Sequence, residues 1–471
     1  MTALTDKTLI DVAACIRDGS VSSEDVTRAC LARVDRVDPL INAFTKVKAE
    51  RALQQARDAD LARRAGAPLP LLHGVPLAHK DMFYRAGEES ACGSLIRQGW
   101  EASTTADVLK RLDAAGAVTL GRLNMSEFAI GPIGLNAHFG PTRNPWATDH
   151  VSGGSSSGPA AAVAARLSFG ALGSDTGASI RVPAAACGIV GLKPSYGWIS
   201  TAGTMPLSGS LDVVGPLART VADVALLTGI IATPADDRLS TPIHHAFFEA
   251  ARGHPEQDRS VRIGVSRDYF RNGLTPEIES NVDENIRIFR DLGYRVHPVD
   301  TSVFAEAAAL YSTIFGTEAS LLHASTLDER ARDYSPQVRA RLNMGRQVPL
   351  ELYREAVGKR THLLVRVMSE VFRDIDVLVA PVISRAVPTI TEIDVGDGAG
   401  MLSVVGAFLR LTSPVNVLGL PALSVPSGFA SNGLPMGIQL IGAPWSDPVL
   451  LRLGRVHERA ALWTSHGPSI S

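Results

Sequence analysis

Short strand-like segments set between helical ones constrain this chain more than any other feature. Ile375–Val382 is the most apolar of them, with Asp376 as its one charged residue, and Val261–Val265, Tyr294–Val299, Ala422–Val425 and Met436–Ile441 read as strands of similar length. Strands apolar on both sides need helices over both faces of their sheet. Helical spacing supplies those covers. Leu9, Val12, Ala13 and Ile16 share a face that Gly19 closes, Ser22 with Asp25 opens a second helix, and further helices are expected over Val47–Arg64, Asp107–Ala114 and Pro276–Leu292. Short extended segments fall at Val75–His79, Ala117–Leu120 and Leu167–Leu172. The expected fold is α/β: a single large domain over residues 1–471, with a central mixed sheet of mostly apolar strands covered by helices on both faces. Within it, a catalytic core is expected over about 70–230, a loop-rich and helical region over about 230–360, and a sheet-completing part over about 370–465. The loop-rich stretch at 230–258 is the one tempting internal boundary.

Charge and composition exclude several functions. Forty-six basic residues against 48 acidic ones leave a net charge of −2, so an electrostatic grip on nucleic acid is not expected. Arg166 and Gly170 break the apolar stretch Ala160–Leu172, and no basic segment leads into an apolar N-terminal core. A soluble, cytoplasmic protein without membrane contact is the expectation. Cys15, Cys30, Cys92 and Cys187 lack CxxC spacing and are expected reduced and buried. No HExxH occurs, and the adjacent His244 and His245 have no carboxylate nearby, so neither metal nor cofactor is expected.

Chemistry concentrates in Val151-Ser-Gly-Gly-Ser-Ser-Ser-Gly-Pro-Ala and in Leu172-Gly-Ser-Asp-Thr-Gly-Ala-Ser-Ile-Arg. Small apolar residues follow the first run directly, which argues against a flexible linker and for close approach of backbone to a ligand. A phosphate-cradling loop would need a Gly-Lys-Ser/Thr that is absent. Gly154–Gly158 formally matches GxSxG with Ser156 as nucleophile, but no apolar strand leads into it and no downstream histidine stands out as base.

Gly153–Pro194, with Gly74-Val-Pro-Leu-Ala-His-Lys-Asp upstream, closely resembles the amidase signature family of serine hydrolases. Gly188-Ile-Val-Gly-Leu-Lys-Pro-Ser-Tyr-Gly, Gly121-Arg-Leu-Asn-Met-Ser-Glu-Phe-Ala, Phe139-Gly-Pro-Thr-Arg-Asn-Pro-Trp, Pro414-Val-Asn-Val-Leu-Gly-Leu-Pro-Ala and Leu434-Pro-Met-Gly-Ile-Gln-Leu-Ile-Gly extend the match over nearly the whole chain. The resemblance implies that fold and amide hydrolysis through an acyl-enzyme. It implies Ser179 as nucleophile, Ser155 as the bridging serine held in a cis peptide geometry, and Lys80 as general base. The backbone N–H groups of Thr176, Gly177 and Ala178 would receive the oxyanion, and Asp175 and Arg181 would pin that loop. A lysine can serve as base only when desolvation lowers its pKa from about 10.4, and the apolar Val75-Pro-Leu-Ala before Lys80 favours its burial. Ser157 and Pro159 depart from the family's run, and Ala178 stands where glycine is usual; a methyl group there would be strained if the backbone needed positive φ.

Within the family, free-standing amidases divide from the A subunit of the glutamine-dependent aminoacyl-tRNA amidotransferase. Ala407-Phe-Leu-Arg-Leu-Thr-Ser lacks the acid that holds glutamine's amino group in glutamine-specific relatives. Arg410, with Arg341 or Arg346, would suit a substrate bearing a carboxylate. A free-standing hydrolase of a small amide is therefore expected. Its alternative is the amidotransferase component, and a non-catalytic subunit on the same fold is a lesser one. The expected partner is the small-molecule amide alone, with a homodimer compatible, or a small partner subunit under the alternative.

Overall fold

Every residue of Val377–Pro381 is buried, as a strand covered on both faces must be. The computed structural model describes residues 3–232, 242–252 and 259–470. Its strands are β1 (Phe44–Val47), β2 (Pro76–Lys80), β3 (Val118–Leu123), β4 (Arg143–Asn144), β5 (Ala147–Val151), β6 (Gly170–Asp175), β7 (Val190–Lys193), β8 (Val213–Ala218), β9 (Arg262–Ser266), β10 (Arg295–Val299), β11 (Val377–Pro381), β12 (Ala422–Phe429) and β13 (Pro435–Gly442). Eleven of them form one sheet in the order β1-β3-β2-β6-β8-β7-β12-β13-β11-β9-β10, and β4 with β5 makes a separate ribbon. Pairing is parallel among β3, β2 and β6 and among β11, β9 and β10, and antiparallel through the middle of the sheet. The expected mixed sheet under helices is the observed architecture.

Several boundaries differ from those expected, three of them for a plain structural reason. Phe44–Val47 is an edge strand on β3, so the helix expected from Val47 begins at Ala49. β3 runs on to Leu123 because its far end pairs with β1. The strand expected over Leu167–Leu172 is β6, shifted to Gly170–Asp175, since Leu167–Phe169 still turns out of the helix Ser157–Ala164. Most of the loop-rich stretch 230–258 lies outside the described residues, and its described middle, Pro242–Arg252, is a helix that buries Phe247 and Ala250. Among the described residues, no helix is long and apolar enough to cross a membrane, and no cluster of three His, Cys, Asp or Glu is placed to hold a metal.

The parallel strands position the site. β2 ends at Lys80 and β6 at Asp175, side by side, with Ala78 opposite Ala171 and His79 opposite Leu172. Chain ends of neighbouring parallel strands are where α/β sheets gather functional loops. Gly158, at the start of the helix that follows the serine run, fits against the backbone of Ala43 and Asn124, where an added Cβ would lie 2.5 Å from each carbonyl oxygen. That contact sets the helix, and the serines before it, against the end of β3.

Candidate active site

Lys80 is 1 % exposed. Its Nζ donates to Ser155 Oγ at 2.8 Å and to Ser174 Oγ at 2.9 Å. Burial pushes its pKa down to about 7, against the opposing pull of Asp175, Asp212 and Cys92. At that value a large share of the amine is neutral near pH 7. A neutral amine has a lone pair, so it can accept the Ser155 proton as well as donate. Lys193 is also buried and pushed to about 7, by burial first and then by Arg181. Its Nζ, however, donates to the Pro194 carbonyl at 2.8 Å and reaches no serine among the described residues.

The serine run is held from several sides. The Gly154–Ser155 peptide is cis, and Gly153 has φ +73°. A Cβ on Gly154 would lie 2.6 Å from the Gly134 nitrogen and 2.8 Å from Ser126 Oγ, so nothing larger than glycine fits. Ser156 Oγ accepts from the Ser174 N–H and donates to the Ser174 carbonyl, both at 3.3 Å, and its own N–H donates to the Ser179 carbonyl at 3.2 Å. Ser156 thus stitches the run to β6. β5, the strand before it, belongs to the separate ribbon, so the run does not top a strand of the main sheet as a hydrolase elbow does. Ser157 Oγ is buried without a hydrogen-bond partner among the described residues. Pro159 lies in the first helical turn, which tolerates the missing N–H.

Asp175 and Arg181 form a fully buried ion pair rather than a surface one. Nε of Arg181 donates to Asp175 Oδ2 at 3.0 Å and Nη2 to Oδ1 at 3.1 Å; Oδ2 also accepts the N–H groups of Ile180 and Arg181. Burial works against the charge, yet Arg181, Lys193 and Asn416 hold the Asp175 carboxyl below the usual carboxylate range. Arg181 Nη1 donates to Gln439 Oε1 at 3.0 Å, and Nη2 to Asn416 Oδ1 at 2.5 Å. The loop Thr176–Ser179 is therefore bracketed by one saturated network. Ala178 does not have the positive φ that would strain it, and its methyl group is buried in a cluster with Val182, Val405 and Phe408. A Cβ on Gly177 would collide with the Tyr311 hydroxyl and ring, so a larger residue there would displace Tyr311. Ser179 is 7 % exposed, and its hydroxyl makes no hydrogen bond among the described residues.

Beside this loop, Tyr311, Phe315, Arg341, Leu409, Arg410 and Ser413 line a pocket with no acidic residue among its described lining. Arg341 lies 4.8 Å from the Phe315 ring centroid and has no carboxylate partner among the described residues. Arg410 gives Nη1 to the Tyr269 carbonyl at 3.1 Å, and its buried Nη2 has no hydrogen-bond partner among the described residues. Arg346 is elsewhere, paired with Asp328 on the surface at 2.7 Å. Ser174, Asn416, Gln439, Asp212 and Tyr311 join the site although sequence reasoning does not single them out. Asn416 and Gln439 sit inside the Pro-Val-Asn and Gly-Ile-Gln segments that the sequence does mark, whereas Asp212 and Tyr311 carry no local signal.

Removing one partner of a fully buried pair leaves an uncompensated charge, which costs about 3–5 kcal/mol. Asp175→Asn should lower the urea-unfolding free energy by about that amount. A loss below about 1 kcal/mol would contradict the described network.

A family model described as Amidase matches residues 25–451. The A subunit of the glutamyl-tRNA(Gln) amidotransferase of Myxococcus xanthus is 38% identical over 486 residues, covering 97% of each chain. A solved structure of a vestigial protein complex bearing on the origins of an s-triazine catabolic enzyme aligns at TM-score 0.87 and 34% identity, covering 99% of this chain and 100% of that one. The structure of 6-aminohexanoate cyclic dimer hydrolase aligns at TM-score 0.89 and 27% identity, covering all of both chains.

Proposed function

The chain belongs to the amidase family, and from that premise we propose that it cleaves a carboxylic amide through an acyl-enzyme on Ser179. The Lys80–Ser155 contact at 2.8 Å, with an amine that burial brings to about 7, carries the proposal. Neutral Lys80 takes the Ser155 proton while Ser155 takes that of Ser179. Ser179 Oγ then bonds to the amide carbon, and the carbonyl oxygen gains charge facing the N–H groups of Thr176, Gly177 and Ala178. The proton returns along the same path to the leaving nitrogen as the C–N bond breaks. Water, deprotonated by the same relay, releases the carboxylate. The Ser155–Ser179 contact closes in the substrate complex, as such hydrogen bonds often do only when the site is filled.

The pocket supports a substrate bearing a carboxylate, because Arg341 and Arg410 are both among its lining residues and no acid is among its described lining. The curated relatives favour the alternative over a free-standing amidase, since they are named as the A subunit of an amidotransferase. Against it, glutamine's ammonium group would be desolvated beside Leu409 and Arg410 with no counter-charge. Under that alternative, the chain would act with a small partner protein.

Two outcomes are expected. In any amidase assay, kcat/KM should rise along an acid limb centred near pH 7, as Lys80 loses its proton, and Lys80→Arg should lose at least about 100-fold because guanidinium is no base. A Lys80→Arg enzyme near the wild-type rate would contradict the assignment. In an ammonia-release panel on the isolated chain, small amides bearing a carboxylate should exceed their neutral analogues and glutamine by about 10-fold or more, a margin that Arg341→Ala removes. Glutamine as best substrate, with activity appearing only when a small partner protein is added, would establish the amidotransferase reading instead.

A further inference from the structure

Asp212 lies one residue before β8, whose register sets Val213 opposite Asp175 and so brings Asp212 beside Thr176. Thr176 Oγ1 donates to Asp212 Oδ1 at 2.6 Å, and the N–H groups of Leu207 and Ser208 donate to Oδ2 at 2.8 and 2.9 Å. Three donors on two oxygens favour the carboxylate form. Burial pushes this carboxyl up, and Glu318 adds to the rise.

Glu318 anchors the segment that follows Leu207. It accepts from the Ser208 and Ser210 hydroxyls at 2.6 Å each, from the Ser210 N–H at 3.1 Å and from the Tyr353 hydroxyl at 3.0 Å. Glu318 belongs to the helix Val303–Leu322, as does Tyr311, which packs on Gly177 seven residues earlier and lines the pocket. That helix therefore meets the Thr176–Ala178 loop twice: directly through Tyr311, and through the chain Glu318, Ser208, Asp212, Thr176.

We propose that Asp212 is a positioning residue of the oxyanion loop, fixing the backbone N–H groups of Thr176–Ala178 through the Thr176 hydroxyl, with Glu318 holding Asp212 in place. The proposal rests on Ser179 as nucleophile. Asp212 also acts on the base at a distance, since Lys80 feels its charge together with that of Asp175. Removing the Asp212 charge lowers the Lys80 pKa further, whereas removing the Thr176 hydroxyl leaves it in place.

The test uses a fluorophosphonate, whose phosphoryl oxygen takes the oxyanion position, with adducts mapped by mass spectrometry and rates resolved into kinact and KI over pH. Asp212→Asn and Thr176→Val should each lower kinact at Ser179 by about 10- to 100-fold with KI within about 3-fold. The double variant should be no slower than the slower single one. The acid limb should move to lower pH in Asp212→Asn alone. Glu318→Gln should shift kinact in the same direction by less, which keeps the proposal testable should Asp212→Asn fail to fold. Folded variants with wild-type kinact, additive losses, or an acid limb unmoved in Asp212→Asn would overturn the proposal while labelling at Ser179 in the wild-type chain stands. Labelling of the wild-type chain at another serine would instead overturn the nucleophile, and the proposal with it.

Discussion

The buried pair of Asp175 and Arg181 is the interaction on which the rest of the site depends. Two charges placed in an apolar interior lose several kcal/mol of solvation each, and are tolerable only if nearly every lone pair and proton finds a partner. Here they do. Asp175 ends β6 and accepts from the first N–H groups of the helix Arg181–Cys187, while Arg181 spans to Asn416 and to Gln439 on β13. One ion pair thereby ties the end of a central strand, the start of the next helix and a strand on the far side of the sheet. The loop Thr176–Ser179 lies between the paired residues and inherits their geometry.

The same pair helps to set the chemistry of Lys80. Burial alone would depress its pKa further; the nearby carboxylates of Asp175 and Asp212 restore part of the loss and leave it at about 7. An amine much above that value would stay protonated at neutral pH, and one much below it would be too weak a base to draw on the serines. Lys193 has a similar value without a serine to act on, so the depressed pKa is not what distinguishes the two. Position at the end of β2, facing Ser155 and Ser174, does.

Much of this was legible in the sequence. Apolar segments such as Ile375–Val382 give the covered sheet, and the resemblance carried by Gly74–Asp81 and Gly153–Pro194 gives Lys80, Ser155 and Ser179, which the structure brings to one end of β2 and β6. The gaps have physical causes. Edge pairing turns Phe44–Val47 into a strand, and no local pattern in those residues announces a partner over 70 positions away. Ser156 looks like a nucleophile by spacing, but its bonds to Ser174 depend on strand register and not on its neighbours in sequence. Asp212 and Tyr311 reach the site only because β8 and a distant helix converge on the loop after β6. The pocket's charge, in contrast, was readable in part: Arg410 and Arg341 are there, whereas Arg346 points to the surface on the same helix as Arg341.

The most direct measurement is an acid quench of the isolated chain during turnover of a small anilide, followed by peptide mapping of any acylated residue. An acyl group is expected on the peptide carrying Ser179, released by hydroxylamine and absent from Lys80→Arg. Acylation of Ser156, or turnover with no covalent intermediate at any serine while the chain is saturated with substrate, would contradict it.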